Sequence, residues 1–413
     1  MKLSIITPSH KTKYLEELYD TILEQTYEDW EWLLYLNGGL SKNDLPARIV
    51  ENPKVSIHVY AGDNTNVGFI KNAAFMLGTG EALLEVDHDD LLTPNCLEEV
   101  AKAFIENPEA GFVFSDNAKL DDSFKPYSSY WGWKHRMFNW KGKNLYSMDS
   151  FIPDAASLSM IYYAPDHIRA WRKSVYVEIG GHDQSMSILD DQDLMIRTYM
   201  VSRFYHISKT LYIYRIHGDN TWLERNRAIQ EGTHQLFEKW QQRLAEREAD
   251  IKGLRKIDLG GSLDPRSGYE TLNHRDADII ADLNKPWPFE DGEVGVIHSS
   301  HTINKIADKQ FVMSEIHRVL ADGAWAFIEV PSTDGRGAFQ DPTHVSYWNE
   351  NSFLYYTRSA QARYIYNTQI KFQDRLLETK FYQKWMEDMN VPCTRAWLRA
   401  IKSDLRMPGA TQI

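Results

Sequence analysis

The chain is poor in cysteine. Cys96 and Cys393 are its two thiols in 413 residues. That is too few, too far apart, for a disulfide framework or a cysteine-built zinc site, so a reducing compartment is the default expectation. Also missing is any run near the roughly 20 apolar residues of a membrane span. The opening Met-Lys-Leu-Ser-Ile-Ile-Thr-Pro is short for a signal peptide and is broken at Pro8, so a soluble, cytoplasmic protein is expected. Positive charge is in deficit: 58 acids against 46 bases give a formal charge of -12. Such a surface excludes general coating of nucleic acid but leaves room for a local basic groove. Internal repeats and low-complexity tracts are lacking as well. What remains is ordinary for a globular chain, 43% apolar and 25% charged, and its length fits two domains. Aromatics are the exception, at 13% with 13 tryptophans. They read equally as large cores or as flat faces for stacking on sugars and bases.

The first quarter alternates short β-rich runs with helical spacing. Strands are expected over 3–7, 32–36, 55–60 and 82–86. Tyr14, Leu15, Leu18, Ile22 and Leu23 recur at a helical period, and 66–77 reads as another helix. Thr93-Pro94 reads as a helix start, with threonine as N-cap and proline at the first position. This order implies a mostly parallel sheet covered by helices, with ligands at the carboxyl ends of the strands. The stretch 119–161 is aromatic and irregular. A charged helical stretch, 226–252, leads to a second alternating series with strands at 256–259, 279–282, 294–298 and 324–330. The expected division is 1–225, a helical linker over 226–252, and 253–413 with a C-terminal helical extension.

Asp87-His88-Asp89-Asp90 directly follows the apolar 82–86 strand. Carboxylates crowded at a strand end repel one another unless a cation sits there, and oxygen ligands suit Mg²⁺ or Mn²⁺. A solvated acidic turn is the bland alternative. Four further segments weigh against it: Thr7-Pro8-Ser9, Asn66 to Ala74, Gly180-Gly181-His182-Asp183 leading to Asp190-Asp191-Gln192-Asp193, and Tyr214-Arg215-Ile216-His217.

In that order, over roughly 1–225, these motifs resemble family-2 glycosyltransferases of the GT-A fold. The resemblance implies an α/β nucleotide-diphospho-sugar transferase domain, inverting and dependent on Mn²⁺ or Mg²⁺, with a UDP-sugar favoured as donor. It places Pro8, Asn37, Asn66, Lys71 and Asp87 around the nucleotide. Asp89 and His217 would hold the metal, and Asp191 would be the general base. Arg172, Trp171 and His167, in the cation- and aromatic-rich stretch 161–173, would face the acceptor. Asp193 and Arg197 read as structural partners. Three positions depart from the family pattern: Asn37 where an acid is usual, Lys71 where arginine is commoner, and Asp190 where glutamate is usual. Lysine keeps the charge but loses the bidentate fork. The acceptor is expected to be a glycan or other hydroxylated polymer. Trp131, Trp133 and Trp140 suggest a large one, and the basic residues Lys134, His135, Arg136, Lys141 and Lys143 keep a hydroxylated base in DNA as an alternative.

Downstream, Lys256-Ile257-Asp258-Leu259-Gly260-Gly261, Ala277 to Leu283, Val296 to His301 and Glu315 to Leu320 resemble class I S-adenosylmethionine-dependent methyltransferases, a Rossmann-like fold. The resemblance implies a cofactor pocket at Gly260, Gly261 and Asp282. Asn273 stands where an acid normally grips the ribose, and Ser262-Leu263-Asp264-Pro265 lacks a further glycine. A structural or acceptor-docking relic is therefore expected, with a bifunctional glycosyltransferase and methyltransferase as the alternative. Two other rivals are a methyltransferase whose first domain only binds sugar, and a pure glycan-binding module. The latter needs no base at Asp191.

Overall fold

The structure, a computed structural model, describes residues 1–121, 126–127, 133–218, 220, 224–261, 264–366 and 369–403. Tyr130, Trp131, Asp219, Thr221, Ser262 and Leu263, singled out above, lie outside the described residues. The chain divides into two compact units, Met1–Gln241 and Gln242–Ile413. The change of unit falls inside one helix, Asn226–Lys252.

In the first unit the strands are β1 Leu3–Ser9, β2 Trp30–Leu36, β3 Val55–Val59, β4 Ala82–Glu85, β5 Leu91–Leu92, β6 Ala110–Asp121, β7 Pro126–Tyr127, β8 His135–Trp140, β9 Lys143–Met148, β10 Arg169–Arg172 and β11 Arg203–Ile216. Their order is β3-β2-β1-β4-β10-β6-β11-β5. β1 to β4 run parallel, while β10 is antiparallel to both β4 and β6. Strand order reverses between β1 and β4, which opens a crevice at their carboxyl ends. Apolar side chains seal the layer beneath. Leu3, Ile5, Trp32, Leu34, Leu84 and Val86 pack on Leu15, Leu18 and Ile22 of the helix Leu15–Leu23. The helix Val67–Phe75 enters the site through its first turn. Gly68 is needed there, because a Cβ at that position would lie 2.0 Å from the carbonyl of Asp183. The helix expected from Thr93-Pro94 is Cys96–Glu106, with Asn95 at its N-cap.

The stretch expected to be irregular is largely a β-hairpin. β8 and β9 pair antiparallel and are joined by Lys141 and Gly142, both at positive φ. Such a two-residue turn matches the twist of the flanking strands. Trp140 packs with Leu91, Leu145 and Ile213, and Trp133 with Met148, Ile161 and Ala164. Both rings are core, which removes them as stacking platforms.

In the second unit the strands are β12 Arg255–Leu259, β13 Glu270–Asn273, β14 Ile279–Ile280, β15 Val294–Ser300, β16 Leu320–Pro331, β17 Phe372–Lys380 and β18 Cys393–Ala400. Their order is β14-β13-β12-β15-β16-β18-β17, with β18 antiparallel to its neighbours. This is a Rossmann-like, methyltransferase-type sheet with a switch point between β12 and β15. The expected C-terminal helical extension is corrected: 372–380 and 393–400 are strands, β17 at the edge of the sheet and β18 inside it, which bury Phe372, Ala396 and Leu398. The crossovers are also cut short. Parallel neighbours need about a dozen connecting residues, usually with a helix. Among the described residues no helix lies between Leu259 and Val294. Part of that face is covered instead by the end of helix Asn226–Lys252, where Ala249 lies so close that a Cβ on Gly295 would meet its methyl at 2.6 Å.

Candidate active site

A cleft of about 860 Å³ opens at the switch point of the first sheet. Pro8 from the end of β1 and Asn37 from the end of β2 form one wall, with Lys71, Asp87 and Asp89 below. His167, Asp191 and His217 complete it, beside Tyr162, Tyr163 and Tyr214. Eight of the positions expected from sequence thus share one cavity. Asn66 is the exception on the donor side. It caps the helix Val67–Phe75, and its amide reaches the carbonyls of Gln184 and Ser185 at 3.4 Å.

The acidic turn after β4 splits by role. Asp89 Oδ2 and His217 Nε2 lie 2.7 Å apart, both in the cleft wall. Tyr14 stacks on the His217 ring with centroids 5.7 Å apart. The His217 N–H donates to Asn220 Oδ1 at 2.6 Å. Asp90 turns inward, accepting from the Tyr212 hydroxyl at 2.8 Å and the Arg215 N–H at 2.7 Å. It ties the turn to β11 and is buried away from the cleft. Burial, with Asp89 and Asp87 nearby, holds its carboxyl well above the usual range. Asp87 is pushed up to about 7, by burial first and by Glu85 and Asp89 against the pull of Lys71.

Beneath the cleft runs a chain of buried charges that sequence reading missed. Glu85, on β4 and 0% exposed, is paired to Lys71, and Arg169 Nη1 lies 3.8 Å from its other oxygen. Arg169 is ion-paired to Asp191 and donates through Nε to the Pro165 carbonyl at 3.1 Å. Lys71 also sits 3.6 Å from Asp190. The surroundings split the two adjacent acids. Burial raises Asp190 to about 6 despite Lys71. For Asp191 burial acts upward, but Arg169 and Lys71 outweigh it and hold the carboxyl below its ordinary value. The signal available in sequence was Glu85 itself, a charge inside the apolar run Ala82-Leu83-Leu84-Glu85-Val86. Asp193 pairs with Arg197 at 2.7 Å, the structural role expected of both.

Two of the three acceptor-side expectations are corrected. Trp171 is fully buried; it packs on Phe75 and Phe112, and its Nε1–H donates to Thr198 Oγ1 at 3.1 Å. Arg172 donates to the carbonyls of Ala110, Phe104 and Asn107 and covers the Phe104 ring. Neither lines the cleft. Residues on β10 alternate in direction, so Arg169 and Trp171 share a face that the core claims at Trp171. His167 does line the cleft: its Nε2 is 3.8 Å from Asp87, and burial with Arg169 lowers it to about 4. Two of the five basic residues of the patch are taken up in ion pairs. Arg136 pairs with Asp116 and Asp149, and Lys141 with Glu24.

In the second unit Gly260 and Gly261 follow β12, and side chains pack closely against both. A Cβ on Gly260 would meet Thr302 Oγ1 at 2.2 Å, and one on Gly261 would meet Asp258 Oδ2 at 2.2 Å. Asp258 accepts from the Arg266 N–H at 3.2 Å and faces His298 Nδ1 at 3.1 Å. Asp282 is exposed and turns back on the Asn284 N–H at 3.0 Å.

Residues 4–157 match the family model Glycosyl transferase family 2, and residues 266–328 match the model Methyltransferase domain. The hyaluronan synthase of Pasteurella multocida is 24% identical over 229 residues, 54% of this chain and 21% of that protein. The chondroitin synthase of Pasteurella multocida (strain Pm70) is 24% identical over 225 residues, 53% and 21%. The O-antigen biosynthesis protein RfbC of Myxococcus xanthus is 26% identical over 219 residues, 51% and 15%. The chain thus spans about a fifth of the length of these curated relatives. Among solved structures, S. aureus TarS 1-349 in complex with UDP aligns at TM-score 0.42 and 15% identity over 65% of this chain and 76% of that one. The mannosyltransferase PcManGT from Pyrobaculum calidifontis in complex with GDP-Man and Mn²⁺ aligns at 0.40 and 16%, over 58% and 63%. The chain carries a family-2 glycosyltransferase domain followed by a methyltransferase-type domain.

The corrected position of Trp171 is directly testable. Trp171→Ala should cost about 3–5 kcal/mol of stability, seen as a lower melting temperature, while calorimetric binding of a nucleotide sugar stays unchanged in protein that remains folded. Loss of that binding with an unchanged melting temperature would restore Trp171 to the ligand side.

Proposed function

We propose that the chain is an inverting, metal-dependent glycosyltransferase that moves a sugar from a nucleotide-diphosphate donor, a UDP-sugar first, to a hydroxyl of a glycan. One observation carries the reading. The Asp89–His217 pair and the arginine-anchored Asp191 line the same cleft at the switch point of the sheet. Pure sugar binding would require no such carboxylate. Asp89 offers a hard oxygen and His217 an imidazole nitrogen, a donor set that fits Mn²⁺ or Mg²⁺. A cation held there would neutralise charge on a departing diphosphate.

The protein's own part is to take a proton and to orient. An acceptor hydroxyl is a poor nucleophile at neutral pH and needs a base in hydrogen-bond reach. Asp191 Oδ1 accepts the Gln192 N–H at 2.8 Å and Oδ2 accepts Arg169. Each oxygen keeps a further lone pair for the hydroxyl. The acceptor oxygen bonds to the anomeric carbon as the carbon–diphosphate bond breaks, and the hydroxyl proton passes to Asp191. One displacement with one base inverts the anomeric configuration. A glycan acceptor is supported by relatives named for hyaluronan and chondroitin and by the tyrosines 162 and 163 lining the cleft. The DNA alternative loses some support with the ion pairs that take up Arg136 and Lys141. We read the second unit as a relic that does not hold S-adenosylmethionine, because Asn273 stands where an acid normally grips the ribose and the early crossovers carry no helix among the described residues.

Three outcomes check this reading. Asp191→Asn should lower transfer by about 10²–10⁴-fold with donor binding kept, and excess chelator should stop transfer in the parent. Full turnover under chelation would remove the metal from the mechanism. Arg169→Met removes the cation that holds Asp191 ionised, so the Asp191 pKa must rise. The acid limb of the pH–rate profile should then move upward by about 1–3 pH units, and Arg169→Lys should move it partly back. An unmoved limb would mean that another group titrates. Calorimetry with S-adenosylmethionine on the whole chain should give no saturable heat in the micromolar range. A clear isotherm would make the protein bifunctional.

A further inference from the structure

At the carboxyl ends of β15 and β16, in the second unit, three different metal-ligating side chains converge. His301 follows β15 directly, Glu329 lies near the end of β16, and Cys393 opens β18. One ligand atom from each lies within 4.8 Å of the other two, and His301 Nε2 is 3.7 Å from Glu329 Oε1. The sheet itself produces the grouping. Cys393 is paired with Pro331 on β16 and Arg395 with Glu329. Positions two apart on a strand face the same way, so Glu329, Cys393 and Arg395 share one face. The His301 N–H donates to the Glu329 carbonyl at 2.9 Å, and its φ is 52°. A left-handed conformation in a residue other than glycine is uncommon and concentrates at functional positions. It brings the imidazole back over the glutamate.

We propose that His301, Glu329 and Cys393 form a zinc site, distinct from the cation site of the first unit. Thiolate, imidazole and carboxylate together select a borderline-soft divalent ion, and three protein ligands leave a fourth position for water or a substrate group. Arg395 donates to Glu329 Oε2 at 2.8 Å and stacks over Tyr382. It orients the carboxylate and leaves Oε1 toward the imidazole, the kind of support outer partners give a metal ligand. Binding requires the thiolate, so the Cys393 proton is released to solvent as the sulfur–metal bond forms. The competing account is plain packing. Cys393 is 2% exposed and touches the apolar cluster of Met386 and Val391.

Cobalt(II) distinguishes the two accounts, because sulfur ligation produces a thiolate-to-metal charge-transfer band that oxygen and nitrogen ligation does not. Titrating Co²⁺ into the whole chain should produce that band and tetrahedral d–d absorption, and Zn²⁺ should displace both. Cys393→Ser should abolish the band, and Asp89→Ala should leave it in place. His301 is half-exposed on a loop, so His301→Ala should fold normally yet weaken Co²⁺ binding by at least about 10-fold. No thiolate band in the parent, a band that survives Cys393→Ser, or unchanged affinity in His301→Ala would each overturn the site.

Discussion

The active-site half of the molecule depends on one buried carboxylate. Glu85 sits in the centre of the first sheet with no exposure. An unpaired charge there would cost several kcal/mol, and removing one partner of such a pair costs about 3–5. It must therefore be met from both sides. Lys71 reaches it from the helix Val67–Phe75. Arg169 reaches it from β10, because the register places Arg169 directly opposite Glu85. Each cation then has charge left for a second acid, Asp190 for Lys71 and Asp191 for Arg169. Two neighbouring carboxylates thereby acquire opposite behaviour, one raised to about 6 and one held low. Splitting a pair of acids by environment is how one fold separates the chemical roles of like groups. A one-residue slip of β10 would turn Arg169 to the other face of the sheet and leave Glu85 and Asp191 without it.

The parallel core was legible in the sequence because it is local. Runs such as 3–7 and 82–86 are buried on both faces and read as continuous apolar stretches. The residues at their carboxyl ends then meet at the switch point, whatever the loops do. Asp87, Asp89 and His217 come together for that reason, and Asp191 joins them from the first turn of the helix Asp190–Val201. Arg169 was hidden because its partner is set by an antiparallel register between strands about eighty residues apart, which no local pattern encodes. Trp133, Trp140 and Trp171 misled for a different reason. Composition is identical for a stacking platform and a core ring, and only packing separates them. The hairpin β8–β9 was missed because its turn is Lys141-Gly142, a weaker signal than Asn-Gly or Asp-Gly. In the second unit the last two strands were read as helix, although 393–400 alternates buried and half-buried positions as a strand does.

Both units are built on a parallel sheet with a switch point, and they differ in which crossovers carry helices. In the first, the helix Val67–Phe75 and the turn after β4 remain, so the cleft beside them is open and lined by ionisable groups. In the second, strand order persists while the early crossovers shrink. Among the described residues no helix joins β12 to β13, and the side chains of Thr302 and Asp258 pack against Gly260 and Gly261 at the end of β12. The proposed zinc ligands lie one strand further along, where β15 and β16 are joined by the helix Lys309–Val319. That helix keeps the two strand ends in register, with Ser300 opposite Glu329, and so keeps His301 beside Glu329. Which crossovers carry helices thus decides where the strand ends of the second unit bring polar side chains together.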